Sequence, residues 1–325
     1  MQLRKLGNDG LTVPEIGLGC WQLGGGWGNE WNDDIAQDIL GHAYASGTRF
    51  IDTADVYGEG ASEQSIGRFL QDHQDLTVAT KLGRGAIYPD GYSREAVRAA
   101  TARSLERLGV SQLDLTQLHC VPPAVLRDGK IFDWLREMRD DGLIARFGAS
   151  VETVEEGLVC LEQEGLTSLQ IIFNIFRQKP LEELLPKAKE KGVGIIVRLP
   201  LASGLLSGKM TRETTFRAGD HRNFNRDGGS FNVGETFAGL EFQTGVALAG
   251  EIAAYVPATM SMAQMALRWL LDQDAVSVVI PGASSAAQVE SNASAAQLPP
   301  LPTAVHDSLA TLYRDKIHGA IRGPY

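Results

Sequence analysis

Short apolar segments alternate with amphipathic segments along almost the whole chain, and this alternation constrains the fold more than any other feature. The apolar segments predict buried strands, because their hydrophobic residues run nearly without interruption. They are IGLGC (16–20), RFID (49–52), LTVATK (76–81), LDLTQLH (113–119), IARFGAS (144–150), SLQIIFN (168–174), GIIVRLP (194–200) and VSVVIPG (276–282). The segments between them carry apolar residues at i, i+3 and i+4, which predicts helices. These cover residues 33–46, 62–71, 93–108, 131–141, 152–164, 181–191 and 261–272.

Strands that alternate with helices in this way form a parallel sheet covered by helices. Eight such units predict an α/β fold, a closed (β/α)8 barrel of the TIM type, as a single domain over residues 1–325. A doubly wound sheet is the competing architecture, but Trp21 and Leu23 interrupt the glycines of GLGCWQLGGG, so the dinucleotide fingerprint is missing. An N-terminal β-hairpin with its turn at residues 8–10 and extra helical residues at 302–318 complete the predicted fold.

Composition narrows the class of partner. The 325 residues are 43% hydrophobic, enough for a large core, and carry a formal net charge of −10 without a basic cluster. We therefore expect no nucleic-acid and no membrane partner. Cys20, Cys120 and Cys160 are too scattered for a disulfide framework or a zinc site, so we predict no metal. With neither a secretory signal nor a long apolar span, the chain is expected to be cytoplasmic.

Polar side chains follow three successive strands at the ends that face one rim of the barrel. The stretch RFIDTADVYGEG places Asp52 at the end of the second barrel strand and Tyr57 five residues later. Lys81 ends the third barrel strand and His119 ends the fourth. Taken singly, each has a structural explanation, such as a turn cap, a solvated strand end or a buried histidine. Together at the carboxyl-terminal face, where barrel enzymes build their sites, they predict an active site.

These four residue types suit proton transfer to a carbonyl oxygen. A tyrosine phenol has a pKa of about 10, and a nearby lysine ammonium is expected to lower that pKa by favouring phenolate. Asp52 would keep Lys81 charged and oriented, and His119 would hydrogen-bond the substrate oxygen. Such a site supplies a proton but no electrons, so a reduction also needs a hydride donor.

The motifs FIDTADVYGEGASEQSIGRFL, VATKLG, LTQLH, LASGLLSGK and VIPGASSAAQVESN resemble those of the aldo-keto reductases, and the resemblance covers essentially the whole chain. It implies an NAD(P)-dependent oxidoreductase that interconverts aldehydes or ketones and alcohols, acting on a small-molecule substrate. It further implies Tyr57 as general acid/base, supported by Asp52, Lys81 and His119. The cofactor, NADP(H) rather than NAD(H), would lie extended across the barrel top.

The same resemblance implies which residues hold the cofactor. Ser150 and Gln170 match those that hydrogen-bond the nicotinamide carboxamide, and Trp21 follows the first barrel strand. The implied phosphate-loop and adenosine-end positions are Gly204, Leu206, Gly208 and Lys209, and Gly282, Ser284, Gln288 and Asn292. Further aromatic residues on the top loops are interpreted either as substrate-pocket walls or as loop packing: Trp27, Trp31, Tyr88 and Tyr92.

Two departures from the family pattern bear on the cofactor. Val151 stands where an asparagine is usual, and Arg198 stands where an aromatic side chain usually stacks on the nicotinamide. We interpret Arg198 as stacking on that ring or as binding an anionic substrate group, with a plain surface arginine as the alternative. The adenosine segment lacks basic residues, so NADH stays open. Arg222 and Arg226 could supply the missing charge or be solvated loop residues.

Two other functions compete with the reductase. A cofactor-sensing regulatory subunit would bind the nicotinamide with little turnover, and a lyase or aldolase would form a Schiff base on Lys81.

The long irregular segment 201–236 is predicted to be a functional loop at the catalytic face. The substrate and the oligomeric state do not follow from the residues.

Overall fold

Ten strands and twelve α-helices are formed by residues 1–25 and 31–325, which the computed structural model describes. The strands are β1 (Leu3–Lys5), β2 (Thr12–Pro14), β3 (Leu18–Gly19), β4 (Phe50–Asp52), β5 (Thr77–Leu82), β6 (Leu115–His119), β7 (Phe147–Ser150), β8 (Leu166–Ile172), β9 (Gly194–Arg198) and β10 (Val276–Val279). The helices are α1 (Asp33–Ala45), α2 (Ala61–Leu70), α3 (Arg94–Leu108), α4 (Pro123–Asp128), α5 (Lys130–Asp140), α6 (Val154–Cys160), α7 (Leu184–Lys191), α8 (His221–Phe224), α9 (Phe242–Ala253), α10 (Met262–Leu271), α11 (Ala286–Ser294) and α12 (Thr303–Leu312).

The sheet closes on itself. Strands β3 to β10 pair in parallel in chain order, each with the next. The two edges then meet through the parallel bridges Ile16 to Val279 and Gly19 to Gly282. The predicted (β/α)8 barrel is therefore confirmed.

The N-terminal hairpin closes the bottom of the barrel. Strands β1 and β2 pair antiparallel, and Leu6 and Val13 bring fully buried side chains into a cluster with Phe50, Leu115 and Val278. Because these side chains fill the amino-terminal end of the barrel interior, the polar groups of a site are expected at the opposite end.

The helices begin and end where their local sequence dictates. Ser93 caps α3 by accepting the Ala96 N–H at 3.1 Å, and Gly109 ends that helix with a positive φ of 68°. Helix α10 starts with a capping box between Ser261 and Gln264. Helices α4, α8, α9 and α11 lie outside the predicted helical segments, and the predicted helical stretch 302–318 divides after α12 into two short helical turns.

Side-chain alternation along the strands sets up the site. Phe50, Ala79, Leu115 and Ile196 belong to the apolar cluster inside the barrel. Successive residues on a strand point to opposite faces, so the residue two positions later points inward as well. At those positions the chain carries polar residues: Asp52, Lys81, Gln117 and Arg198. The interior therefore changes from apolar to polar towards the carboxyl-terminal end.

Residues 201–236 are less irregular than predicted. They contain two 3-10 turns, Ala202–Ser207 and Val233–Glu235, and the single helical turn α8. Among the described residues, none of the helices has the length and hydrophobicity to cross a membrane.

Candidate active site

Lys81 lies at the centre of the predicted site. Its side chain is 1% exposed, and its Nζ donates to Asp52 Oδ1 at 2.5 Å, to the Thr53 carbonyl oxygen at 2.7 Å and to Tyr57 Oη at 3.3 Å. All three acceptors come from the stretch that follows Phe50 in β4, while Lys81 comes from the neighbouring strand β5. Parallel pairing of these two strands therefore places the ammonium beside the phenol, as predicted from the sequence.

Burial changes the expected acidity of the phenol. Burial alone would lower the pKa of Lys81, but the interactions with Asp52 and Tyr57 together outweigh it and raise that pKa above its usual value. Burial raises the pKa of Tyr57, and the adjacent Lys81 ammonium offsets the rise only in part. The expectation of a lowered phenol pKa is wrong, because loss of water contact weighs more than the ammonium. Tyr57 is therefore a neutral phenol at pH 7.

His119 faces the phenol from β6. The two ring centroids are 5.7 Å apart at an interplanar angle of 83°, so one ring presents its edge to the other. Burial, together with the charges of Lys81, Arg84 and Arg198, holds the pKa of His119 well below its usual range. Its Nδ1 is buried and has no hydrogen-bond partner among the described residues. A neutral imidazole can donate a hydrogen bond to a carbonyl oxygen through its N–H, but it is a poor proton source at neutral pH.

Two glycines fix the position of Tyr57. Gly58 has a φ of 58°, and a Cβ there would overlap the carbonyl oxygen of Gly24. A Cβ on Gly24 would lie 2.6 Å from the Tyr57 carbonyl carbon. The turn that carries the phenol can therefore pack against the turn after β3 only while both residues lack side chains.

Replacement of Gly58 by alanine is expected to displace the phenol. A displacement of about 1 Å can cost a catalytic site on the order of a hundredfold, so kcat should fall at least tenfold. Gly10→Ala is the matched control, because Gly10 also has a positive φ, 89°, but has open space around it. Kinetics and thermal melts of both variants check this expectation. Equal kcat values for the two variants would contradict it.

Ser150 and Gln170 lie side by side on β7 and β8. Ser150 Oγ donates to Gln170 Oε1 at 3.3 Å, and Gln170 Nε2 donates to Asp52 Oδ2 at 2.7 Å. Gln170 lies two residues before the end of β8 rather than at its end. A hydroxyl beside an amide oxygen offers a donor and an acceptor, which fits a primary carboxamide such as that of nicotinamide.

The comparisons with known proteins place this geometry in a family. The family model for the Aldo/keto reductase family matches residues 15–314 of the chain. The chain belongs to the aldo/keto reductase family. An uncharacterized oxidoreductase of Mycobacterium tuberculosis is 33% identical to this aldo/keto reductase over 303 residues, which are 91% of this chain and 88% of that protein.

Two further relatives of this aldo/keto reductase carry a described activity in their names. The NADH-specific methylglyoxal reductase of Escherichia coli is 28% identical, covering 97% of this chain and 98% of that protein. The solved structure of the glycerol dehydrogenase from Gluconobacter oxydans superposes with a TM-score of 0.78 at 26% identity, covering 99% and 98% of the two chains.

Arg198 of this aldo/keto reductase points across the barrel mouth. Its Nη2 donates to the Val151 carbonyl oxygen at 3.2 Å and contacts Cys120 Sγ at 3.5 Å, and its Nη1 lies 3.4 Å from Glu235 Oε1. The side chain is 12% exposed, so the interpretation as a plain surface arginine is wrong. Because Glu235 already balances its charge, an anionic substrate group gains less from Arg198 than expected.

Glu235 joins the long segment to the barrel. Its Oε1 accepts from Arg84 Nη1 at 2.8 Å, and Arg84 Nη2 also lies 3.7 Å from Glu152 Oε1. Burial raises the pKa of Glu235, but Arg198 and Arg84 outweigh it, so the net shift is downward and the carboxylate is charged. Metal-ligand atoms of Cys120, Glu152 and Glu235 lie within 4.8 Å of one another, with the two guanidinium groups pairing the carboxylates.

The predicted phosphate loop forms a tight turn whose donors bond internally. The N–H groups of Gly204 and Leu206 donate to the Leu201 carbonyl oxygen, and the Lys209 N–H donates to Ser207 Oγ. Leu206 is fully buried, so neither its side chain nor its bonded N–H is exposed to a ligand in this turn. Gly208 ends the turn with a φ of 73°, and the Lys209 side chain is exposed.

The predicted adenosine end follows β10. Gln288 Oε1 accepts from both the N–H and the Oγ of Ser284, and Asn292 Nδ2 donates to the Gly282 carbonyl oxygen at 3.4 Å. These side chains hold the turn in shape, and a Cβ on Gly282 would overlap Gln22, the neighbour of Trp21. The two predicted segments thus follow the neighbouring strands β9 and β10 at one rim of the barrel.

The remaining aromatic and basic residues have varied positions. Trp21 packs edge-on against His221 at 4.9 Å, Trp31 donates to Ser65 Oγ away from the mouth, and Trp27 lies outside the described residues. Tyr88 is exposed and Tyr92 donates to the Gly83 carbonyl oxygen. Arg222 pairs with Asp220 through two bonds of 2.9 and 2.6 Å, and Arg226 Nε donates to the Arg222 carbonyl oxygen.

Three residues near the site were not predicted from the sequence: Gln117, Arg84 and Glu235. Gln117 Nε2 donates to Asp52 Oδ2 at 3.2 Å. Its position two residues before His119 on the same strand places it on the inward face, a signal that alternation offers. Arg84 and Glu235 carry no such signal, because they are 151 residues apart in the chain and meet only through the path of the long segment.

Proposed function

We propose that this aldo/keto reductase is an NAD(P)-dependent enzyme that reduces aldehydes or ketones to alcohols, or catalyses the reverse reaction, with Tyr57 as general acid/base. The observation that carries the proposal is the placement of Lys81 Nζ, which is bonded to Asp52 and lies 3.3 Å from Tyr57 Oη. The family and its oxidoreductase relatives support carbonyl reduction in general.

The proposed mechanism divides the work among the four residues. A bound nicotinamide would supply the hydride. In reduction, Tyr57 Oη gives its proton to the carbonyl oxygen as negative charge develops there. Lys81 then stabilises the phenolate, and the neutral imidazole of His119 donates a hydrogen bond to the same oxygen. In alcohol oxidation the phenolate accepts the proton, so that direction requires a higher pH.

Ser150 and Gln170 would hold the carboxamide of the nicotinamide, with Trp21 and Arg198 beside it. The segment from Gly204 to Lys209 and the segment from Gly282 to Asn292 would hold the rest of the dinucleotide. Both segments lie at loops that follow barrel strands, so no dinucleotide fold is needed.

NADP(H) remains the proposed cofactor, but we expect weak discrimination against NAD(H). Residues 283–292 offer hydroxyl and amide groups and no cation to a 2′-phosphate, and Arg222 is paired with Asp220. One charge-assisted hydrogen bond changes affinity by about tenfold or more. The KM values for NADPH and NADH should therefore differ by less than about tenfold. A preference above a hundredfold in either direction would contradict this.

For the substrate we propose small aldehydes and ketones, hydroxylated ones included. The Escherichia coli relative is named a methylglyoxal reductase, and the Gluconobacter oxydans neighbour is named a glycerol dehydrogenase. The polar groups at the mouth, Arg84, Glu152 and Glu235, offer both donors and acceptors to hydroxyl groups.

A cofactor titration followed by a substrate screen tests the proposal. Fluorescence titration measures the binding of NADPH and of NADH. The protein loaded with reduced cofactor is then mixed separately with methylglyoxal, glyceraldehyde and benzaldehyde. In the reverse direction, the protein loaded with oxidised cofactor is mixed with glycerol. We expect multiple turnovers with at least one carbonyl. Tight cofactor binding without turnover would support the regulatory subunit instead. Trapping of a substrate on Lys81 by borohydride would support the Schiff-base alternative.

A further inference from the structure

Gln117 is a buried polar residue that the proposed mechanism does not use. It is fully buried on β6 and pairs in register with Lys81 on β5 and with Gly148 on β7. Its Nε2 donates to Asp52 Oδ2 at 3.2 Å. An ionised carboxylate only accepts hydrogen bonds, so the amide nitrogen must be the atom that faces Asp52.

This residue is a poor choice for stability. Its Oε1 is buried and has no hydrogen-bond partner among the described residues, and an unmade hydrogen bond in an interior costs stability. Methionine has nearly the same shape without the polar group. The reason for an amide at this position therefore lies in the hydrogen bond that its Nε2 donates to Asp52.

Asp52 depends on three side-chain donors. Lys81 donates to Oδ1, while Gln117 and Gln170 donate to Oδ2. Donors on Oδ2 stop the carboxylate from rotating, so Oδ1 stays directed at Lys81. Gln170 is also the proposed carboxamide contact, which leaves Gln117 as the donor that acts for Asp52 without contacting the cofactor.

We infer that Gln117 is a positioning residue of the proton-transfer site. It orients the Asp52 carboxylate, which keeps the Lys81 ammonium within hydrogen-bonding reach of the Tyr57 phenol. The inference rests on the proposed function, since it assumes that this phenol is the proton donor.

Two isosteric variants and one control test the inference. Gln117→Met removes the donor and keeps the shape. Gln117→Glu keeps the shape and is a donor when its carboxyl is protonated, a form that burial and Asp52 favour and the Lys81 ammonium disfavours, so it is assayed towards the acidic end of the pH profile. Thr116→Val is the control, since Thr116 is fully buried on the same strand with a hydroxyl that lacks a partner among the described residues.

We expect Gln117→Met to lower kcat about tenfold, with KM for the cofactor within about twofold of the parent and an unchanged or higher melting temperature. Its pH profile for alcohol oxidation should move to higher pH by about one unit, because the phenolate is less stabilised. Gln117→Glu should restore most of kcat, and Thr116→Val should match the parent. Equal kcat for Gln117→Met and the parent would overturn the inference, and so would equal losses in Gln117→Met and Thr116→Val.

A crystal structure of Gln117→Met gives a readout that does not need turnover. We expect the Asp52 carboxylate to have rotated and Lys81 Nζ to lie beyond hydrogen-bonding distance of Tyr57 Oη. An unmoved carboxylate would overturn the inference even if the enzyme is active. If the parent protein reduces no carbonyl, the proposed function fails, and this structure still decides whether Gln117 positions Asp52.

Discussion

Tyr57→Phe should reduce kcat for carbonyl reduction by about a thousandfold while leaving cofactor affinity nearly unchanged. General acid catalysis contributes typically 10²–10⁴-fold, and the phenol is the only group in the proposed mechanism that gives a proton to the substrate oxygen. His119 cannot take over, because its pKa lies well below its usual range. Stopped-flow measurement of cofactor oxidation gives the rate, and fluorescence titration gives the affinity.

Tyr92→Phe is the matched control for this prediction. Tyr92 lies in the loop after β5, and its hydroxyl donates to the Gly83 carbonyl oxygen rather than to a group of the site. We expect this variant to keep most of its activity. Comparable losses in Tyr57→Phe and Tyr92→Phe would contradict the role of Tyr57.

Because the pKa of Tyr57 is raised, the parent protein should reduce carbonyls at a constant rate through neutral pH and lose activity only in alkali.

Lys81→Met should have the second-largest effect, on stability as well as on activity. The side chains of Lys81 and Asp52 are 1% and 4% exposed, and removal of one member of a buried ion pair leaves an uncompensated charge. Breaking such a pair costs about 3–5 kcal/mol of the free energy of unfolding. Activity should fall at least a hundredfold because, among the described residues, Lys81 is the cation that donates to Tyr57 Oη and stabilises its phenolate. Urea denaturation and kinetics measure the two effects.

The double variant Asp52→Asn/Lys81→Met separates these effects. It removes both charges, so much of the lost stability should return, whereas the activity should stay low. Recovery of activity in the double variant would show that Lys81 acts only through folding. Lys81→Met with parental stability would contradict the buried ion pair.

Much of the candidate site could be predicted from the residues that lie at or near the carboxyl-terminal ends of the strands. The alternation of apolar and amphipathic segments predicts the barrel, and a barrel brings the ends of β4, β5 and β6 to one rim. Asp52, Lys81 and His119 therefore meet without any knowledge of side-chain packing. The neighbourhood of Ser150 and Gln170 follows in the same way, because β7 and β8 pair in register.

The features of the site that could not be predicted from the sequence depend on burial and on the paths of the loops. The sequence shows Lys81 near Tyr57 but not how far water is excluded, so the direction of the phenol pKa could not be predicted. Arg84 and Glu235 meet across the barrel mouth because residues 201–236 fold back over it, and no local pattern encodes that path. The position of Gln117 in the site could have been predicted from the sequence, since alternation along β6 places it on the same inward face as His119.

Transfer of deuterium from a reduced cofactor labelled at both C4 positions of the nicotinamide tests directly whether the protein passes hydride from the cofactor to a carbonyl. The protein is loaded with the labelled reduced cofactor and mixed with an aldehyde, and the product is analysed by mass spectrometry. We expect one deuterium on the carbinol carbon of the product with the parent protein and with Tyr92→Phe, and at least a hundredfold less product with Tyr57→Phe over the same time. A tightly bound cofactor that gives no deuterium to any carbonyl, or equal product from Tyr57→Phe, would contradict it.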